Sequence, residues 1–129
     1  MKKQYVFLLF LIFSCLLSCA TGSTIITGEV RPAIDPSEVR IYLEPPLQFE
    51  TIGIVEASSD VEISRQAAQD RVINELKNRA AKIGANGILL INTGRQSGDI
   101  VGFFSGGIFY GGLTEKITGQ ARAILVIQE

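Results

Sequence analysis

The sequence predicts an α+β domain: a small, mostly antiparallel sheet with one long helix packed on one face, after an N-terminal signal peptide. Three observations predict it. Ala68, Val72, Leu76 and Ala80 recur every fourth residue in a segment of helical length, which makes one apolar stripe. Runs on both sides of that segment alternate apolar with polar residues, as half-buried strands do. The first 18 residues are basic, then uncharged and apolar, then small, which is the order of an export signal.

The leading segment divides cleanly. Met1-Lys2-Lys3 is a short positive head, and Tyr5 to Leu17 runs for 13 residues without a charge. A spanning helix needs ~20 apolar residues, so 1–18 is expected to be a signal rather than a membrane span. Its end, Leu16-Leu17-Ser18-Cys19, resembles the lipobox of bacterial lipoproteins, which sets Leu three residues before an invariant Cys and a small residue just before it. The resemblance implies cleavage after Ser18, a diacylglycerol on the Cys19 thiol and an acyl group on the new amino terminus. One acyl chain holds a protein only marginally, at ~0.8 kcal/mol per buried CH₂, and two or three hold it stably. By the same family's sorting pattern, Ala20 after the Cys implies the outer membrane, facing the periplasm. The expected membrane partner is reached through the lipid on Cys19. Cys15 leaves with the signal.

Loss of 1–18 leaves ten basic and 13 acidic groups, a formal charge of −3. Such a body has no electrostatic attraction to anionic lipid and no basic patch for nucleic acid. The chain contains no His, and its two Cys lie at 15 and 19. Histidine acids, bases and metal ligands, thiolate zinc sites, cysteine nucleophiles and internal disulfides are therefore excluded from the body. No metal site and no cofactor are expected. A carboxylate-based hydrolase is the enzymatic alternative, with Glu56, Asp60 and Glu62 as its candidate acids. These lie near the expected helix start, where acids ordinarily serve the helix dipole. The reading favoured is a non-enzymatic binding or scaffolding module.

Along the body, residues 20–38 are rich in Thr, Ser, Gly and Pro; residues 19–38 are expected to be a lipidated tether, with room for a short strand at 24–27, and 39–129 the α+β domain, with a Gly/aromatic insert at 94–112. Val39 to Glu44 alternates as a strand and stops at Pro45-Pro46, which cannot donate to a ladder. Phe49 to Ala57 is a second strand, close enough to pair with the first as a hairpin around the prolines. Ser59 with Glu62 fits a capping box, so the helix is expected over 60–83. Glu75 and Arg79 are spaced to pair at i,i+4, and Gly84 is the left-handed stop. Gly87 to Asn92 is apolar on both faces, as in a central strand. Ile117, Gly119, Ala121, Ala123, Leu125 and Ile127 share one face of a last strand, and its small members invite a close helix.

Leu43-Glu44-Pro45-Pro46, Phe49-Glu50-Thr51-Ile52-Gly53, Ala80-Ala81-Lys82-Ile83-Gly84-Ala85-Asn86-Gly87 and Thr118-Gly119-Gln120-Ala121 resemble the YbjQ-like and RcsF-like group of small bacterial envelope proteins. The resemblance covers roughly 39–128 and implies a compact α+β domain, often lipid-anchored. Some relatives are labelled heavy-metal binders, but no His and no free thiol stand in this body to carry that label over. The RcsF branch senses envelope stress and has disulfides whose cysteines this chain lacks. Stress sensing is the second functional alternative.

Gly94 to Gly112 holds seven of the 13 Gly and four of the six aromatics that follow the signal, Phe103, Phe104, Phe109 and Tyr110. Ile100 to Thr114 has no charge. Three forms compete here. One is a hairpin of Ile100–Phe104 and Ile108–Tyr110 around Gly106-Gly107. Another is a helix with Gly94, Gly98, Gly102 and Gly106 on one associating face. The third is an exposed apolar flap, of the kind that marks an interaction site. The four aromatics are the candidate interaction residues, toward an envelope protein or a second copy through 100–112.

Overall fold

The computed structural model describes residues 20–129, so Cys19 lies outside the described residues. The apolar stripe forms α1, Arg65–Lys82, with Ala68, Val72, Leu76, Ala80 and Ala81 buried. Its start is not the Ser59–Glu62 box. Ser64 is the N-cap, and its hydroxyl accepts the Ala67 amide at 3.1 Å. Ser59 is instead the penultimate residue of a strand, where its hydroxyl accepts from Arg71 Nε at 2.8 Å. The strand claims the first serine, so the helix begins five residues later than expected. Glu75 and Arg79 pair at 2.8 Å, and Gly84 ends the helix at φ +80°.

Five strands make one mixed sheet: β1 (Ala20–Ile26), β2 (Arg40–Tyr42), β3 (Gln48–Asp60), β4 (Gly87–Ser105) and β5 (Ile108–Gln128), in the order β1-β3-β5-β4-β2. All neighbours are antiparallel except β2 and β4, which are parallel. The expected hairpin around Pro45-Pro46 does not form. β2 pairs with the start of β4, and its Arg40 amide donates to the Asn86 carbonyl at 3.0 Å. The prolines sit in the connection that carries the chain past β4 and β5 to β3.

Residues 20–38 are built into the fold, not a free tether. β1 covers the edge of β3 from Ala20↔Ser59 to Ile26↔Gly53. The chain then passes the C-terminal end of α1, where the Arg31 and Ile34 amides donate to the Ile83 and Ala81 carbonyls at 3.1 and 3.0 Å. Helix ends leave carbonyls without intrahelical partners, and this segment supplies them.

The core lies between α1 and one sheet face. Ile52, Val55, Val72, Leu76, Ile88, Ala121 and Ala123 are almost wholly buried there. Gly119 sets the approach: a Cβ at this position would lie 2.7 Å from Val72 Cγ1 and 3.2 Å from Leu76 Cδ1. Ile117, Gly119, Ala121 and Ala123 are buried as their alternation predicts, while Ile127 at the strand end is exposed. Among the described residues no element covers the sheet face opposite α1. Asn86 stitches the far end together. Its side chain donates to the Val126 carbonyl at 3.1 Å and accepts the Val126 amide at 2.6 Å. Among the described residues no helix is long and apolar enough to cross a membrane.

Candidate functional site

β4 and β5 run far beyond their neighbours. β3 ends at Asp60↔Lys116, and from that level only β4 and β5 continue, pairing to Ser105↔Ile108. The result is a two-stranded arm. At ~3.3 Å per residue, the eight steps from Lys116 to Ile108 make it about 27 Å long. The hairpin form of the Gly/aromatic segment is the one the structure adopts, with Gly106 and Gly107 at φ +60° and +79° in a two-residue turn. Two successive positive φ values fit the right-handed twist of the strands, and glycine meets them without a Cβ penalty. The glycine-faced helix is absent, because the same glycines serve an extended ladder.

The arm is apolar on both faces. Phe103 pairs with Tyr110 on one face, with ring centroids 5.6 Å apart and nearly parallel. Phe104 pairs with Phe109 on the other at 5.1 Å, tilted by 50°. Such pairs contribute ~0.5–1.5 kcal/mol each beyond area burial, which helps hold a hairpin that is otherwise marginal in water. None of the four is core: they are 65, 77, 44 and 50 % exposed in the order Phe103, Phe104, Phe109, Tyr110. Ile100, Ile108 and Leu113 are exposed beside them. The sequence reading passed over these three aliphatics, although the unbroken uncharged run from Ile100 to Thr114 contained the signal.

A belt of charge marks the base. Glu115 pairs with Arg65 at 3.1 Å and with Arg95 at 3.8 Å, and Lys116 pairs with Asp60 at 3.8 Å. The Val61 amide donates to the Glu115 carbonyl at 2.8 Å, tying the turn before α1 to β5. Just above the belt the register shifts between Ser97 and Ile100. A bulge of this kind bends a strand and increases its twist, so it sets the direction of the arm. These residues become neighbours only through pairing across the sheet.

The candidate acids do not assemble. Glu56 and Asp60 lie four residues apart on one strand, about 13 Å along it, against the ~5–9.5 Å a glycosidase pair requires. Glu56 accepts from Gln120 Nε2 at 2.6 Å and from the Ser23 hydroxyl at 3.3 Å, while Glu62 is exposed in the turn before α1. Around Glu56 the uncovered sheet face is a broad polar trough of about 600 Å³, with Thr21, Ser58, Thr118 and Gln120 on its floor. Among the described residues no group of three or more His, Cys, Asp or Glu is placed to hold a metal.

A second polar cluster lies at the opposite end of the sheet. Glu129 accepts from the Tyr42 hydroxyl at 2.9 Å and pairs with Arg40. The Tyr42 hydrogen bond, then the Arg40 charge, hold the Glu129 carboxyl below its ordinary range. Burial, then the Glu129 contact, push the Tyr42 phenol up.

No family model matches this chain, and no curated protein matches it. Among solved structures it is similar to a Francisella virulence factor, FvfA, at 24% identity over 79% of this chain and 96% of that one, with a TM-score of 0.47. At that score the likeness carries no functional weight.

Proposed function

We propose that this protein is a lipid-anchored lipoprotein of the bacterial envelope. In this reading it is held on the outer membrane facing the periplasm, and acts as a non-enzymatic binding or scaffolding module whose contact surface is the arm. The observation that carries the reading is the junction Leu16-Leu17-Ser18-Cys19 at the end of the uncharged run. β1 begins at Ala20, the residue after it. A lipid on Cys19 would thus be one residue from the sheet, and the domain would sit against the bilayer instead of swinging on a leash. The dispersed acids and the absence of His from the chain support a binding role over a catalytic one.

Metabolic labelling with a radioactive fatty acid tests the anchor. The wild type takes up label and fractionates with outer membranes, and Cys19→Ser takes up none. Label that survives in Cys19→Ser overturns the reading.

A further inference from the structure

The register places the start of β1 and the root of the arm at the same end of the sheet. Ala20 pairs with Ser59, Ser59 with Ile117, and Ile117 with Arg95, one row across four strands. Cys19 precedes this row by one residue, and the arm leaves the sheet beyond it. From Ile117 to the turn at Ile108 is nine residue steps, about 30 Å at ~3.3 Å each. Any lipid on Cys19 therefore brings the arm to the bilayer as well.

We propose that the β4–β5 arm is a second membrane contact, its aromatic end seated at the boundary between lipid headgroups and acyl chains. This rests on the lipid anchor proposed above. The occupant is lipid rather than a protein because both faces of the arm are apolar at once. The Phe103–Tyr110 pair stands on one side and the Phe104–Phe109 pair on the other, with Ile100 and Leu113 exposed below the latter. Docking on a protein surface covers one face of a two-stranded ribbon, whereas the headgroup–acyl boundary receives apolar side chains from both. Ile100 to Thr114 also offers no charge by which a protein partner could orient it, and on β5 the charges resume at Glu115 and Lys116.

Depth follows from the backbone. Past Lys116 the outer edges of β4 and β5 have no neighbouring strand among the described residues. Open sheet edges are not tolerated in the hydrocarbon core, where nothing satisfies their N–H and C=O groups. The uncharged strand segments, Ile100–Ser105 and Ile108–Thr114, are also shorter than the ~9–11 residues a spanning strand needs. The interface, where aromatic rings concentrate and water still reaches the backbone, satisfies both limits. Anchor and arm then form two supports that fix the tilt of the sheet on the membrane.

The chain contains no Trp, so a single introduced one reports its own surroundings. Phe104→Trp and Tyr110→Trp, on opposite faces of the arm, and Leu47→Trp, exposed at the far end of the sheet, are purified as the full lipoprotein. Each is placed in phosphatidylethanolamine/phosphatidylglycerol vesicles carrying brominated acyl chains. The expected result is at least about twofold quenching at 104 and 110, strongest with bromine near the headgroups, as for segments seated ~5–10 Å deep, and none at 47. Intact mass of the same samples reads the lipid on Cys19. A mass without lipid overturns the anchor and this proposal with it. Lipid-bearing protein unquenched at 104 and 110 overturns the arm contact alone, as does quenching strongest at the bilayer centre.

Discussion

The lower and upper halves of β4 and β5 are the same two strands with opposite fates. In the lower half, Ile88, Ala121 and Ala123 are fully buried beneath α1. In the upper half, Ile100, Phe104 and Leu113 are exposed at 69, 77 and 70 %. Composition does not separate them, since both halves are rich in apolar and small residues. A third layer does: α1 stands over the lower half and ends its reach at the level of the charged belt. An apolar pattern specifies a core only where another element arrives to cover it, and above the belt no described element does. The lower half holds the fold, and among the described residues the upper half stays uncovered.

That contrast gives a ranked set of outcomes. Leu76→Ala opens a cavity between α1 and Gly119, and a loss of about 3 kcal/mol in chemical denaturation is expected from buried leucine truncations. Ser64→Ala removes the N-cap of α1 and costs about 1 kcal/mol. Ser59→Ala leaves the helix start intact although it removes the acceptor of Arg71 Nε, so amide exchange at Ala67 quickens in Ser64→Ala and not in Ser59→Ala. Replacing Phe103, Phe104, Phe109 and Tyr110 together with Ser frays the arm, where both ring pairs act, but shifts the global unfolding transition by about 1 kcal/mol or less, since none of the four is core. Global unfolding in that variant would erase the distinction between the halves.

The smallest effect lies at the far end. The Glu129 carboxyl sits below its ordinary value in the folded chain, so its contribution is complete above the unfolded value of 4.5 and fades as pH falls through the folded one. Melting temperatures between pH 3 and 6 should show a slightly shallower acid-side decline in Glu129→Gln than in the wild type.

Much of the fold was legible because its signals are local. The helix face follows from a four-residue recurrence, and Glu75 meets Arg79 because one helical turn brings them together. The turn at Gly106-Gly107 was one of three forms the sequence left open, and the pairing of β4 with β5 decided it. The helix start was misplaced because Ser59, with Glu62 three residues on, fits a capping box that Ser64 lacks, and only the length of β3 sets Ser59 aside. The belt of Arg65, Arg95, Glu115, Lys116 and Asp60 was invisible, since its members come together through strands paired across long stretches of sequence.

By itself, the sequence determined the helix and its buried face, the extended runs and the uncharged character of the 100–114 segment. These depend on backbone geometry and hydrophobic period over a few residues. Tertiary structure alone decided that residues 20–26 close the edge of β3 and that β2 lies parallel to β4 instead of folding back on β3. It also put Ala20 and the root of the arm at one end of the sheet. Loop closure costs rise only slowly with length, so nearness in sequence does not choose the partner. Burial against α1 and satisfaction of open strand edges do, and both exist only once the whole sheet has formed.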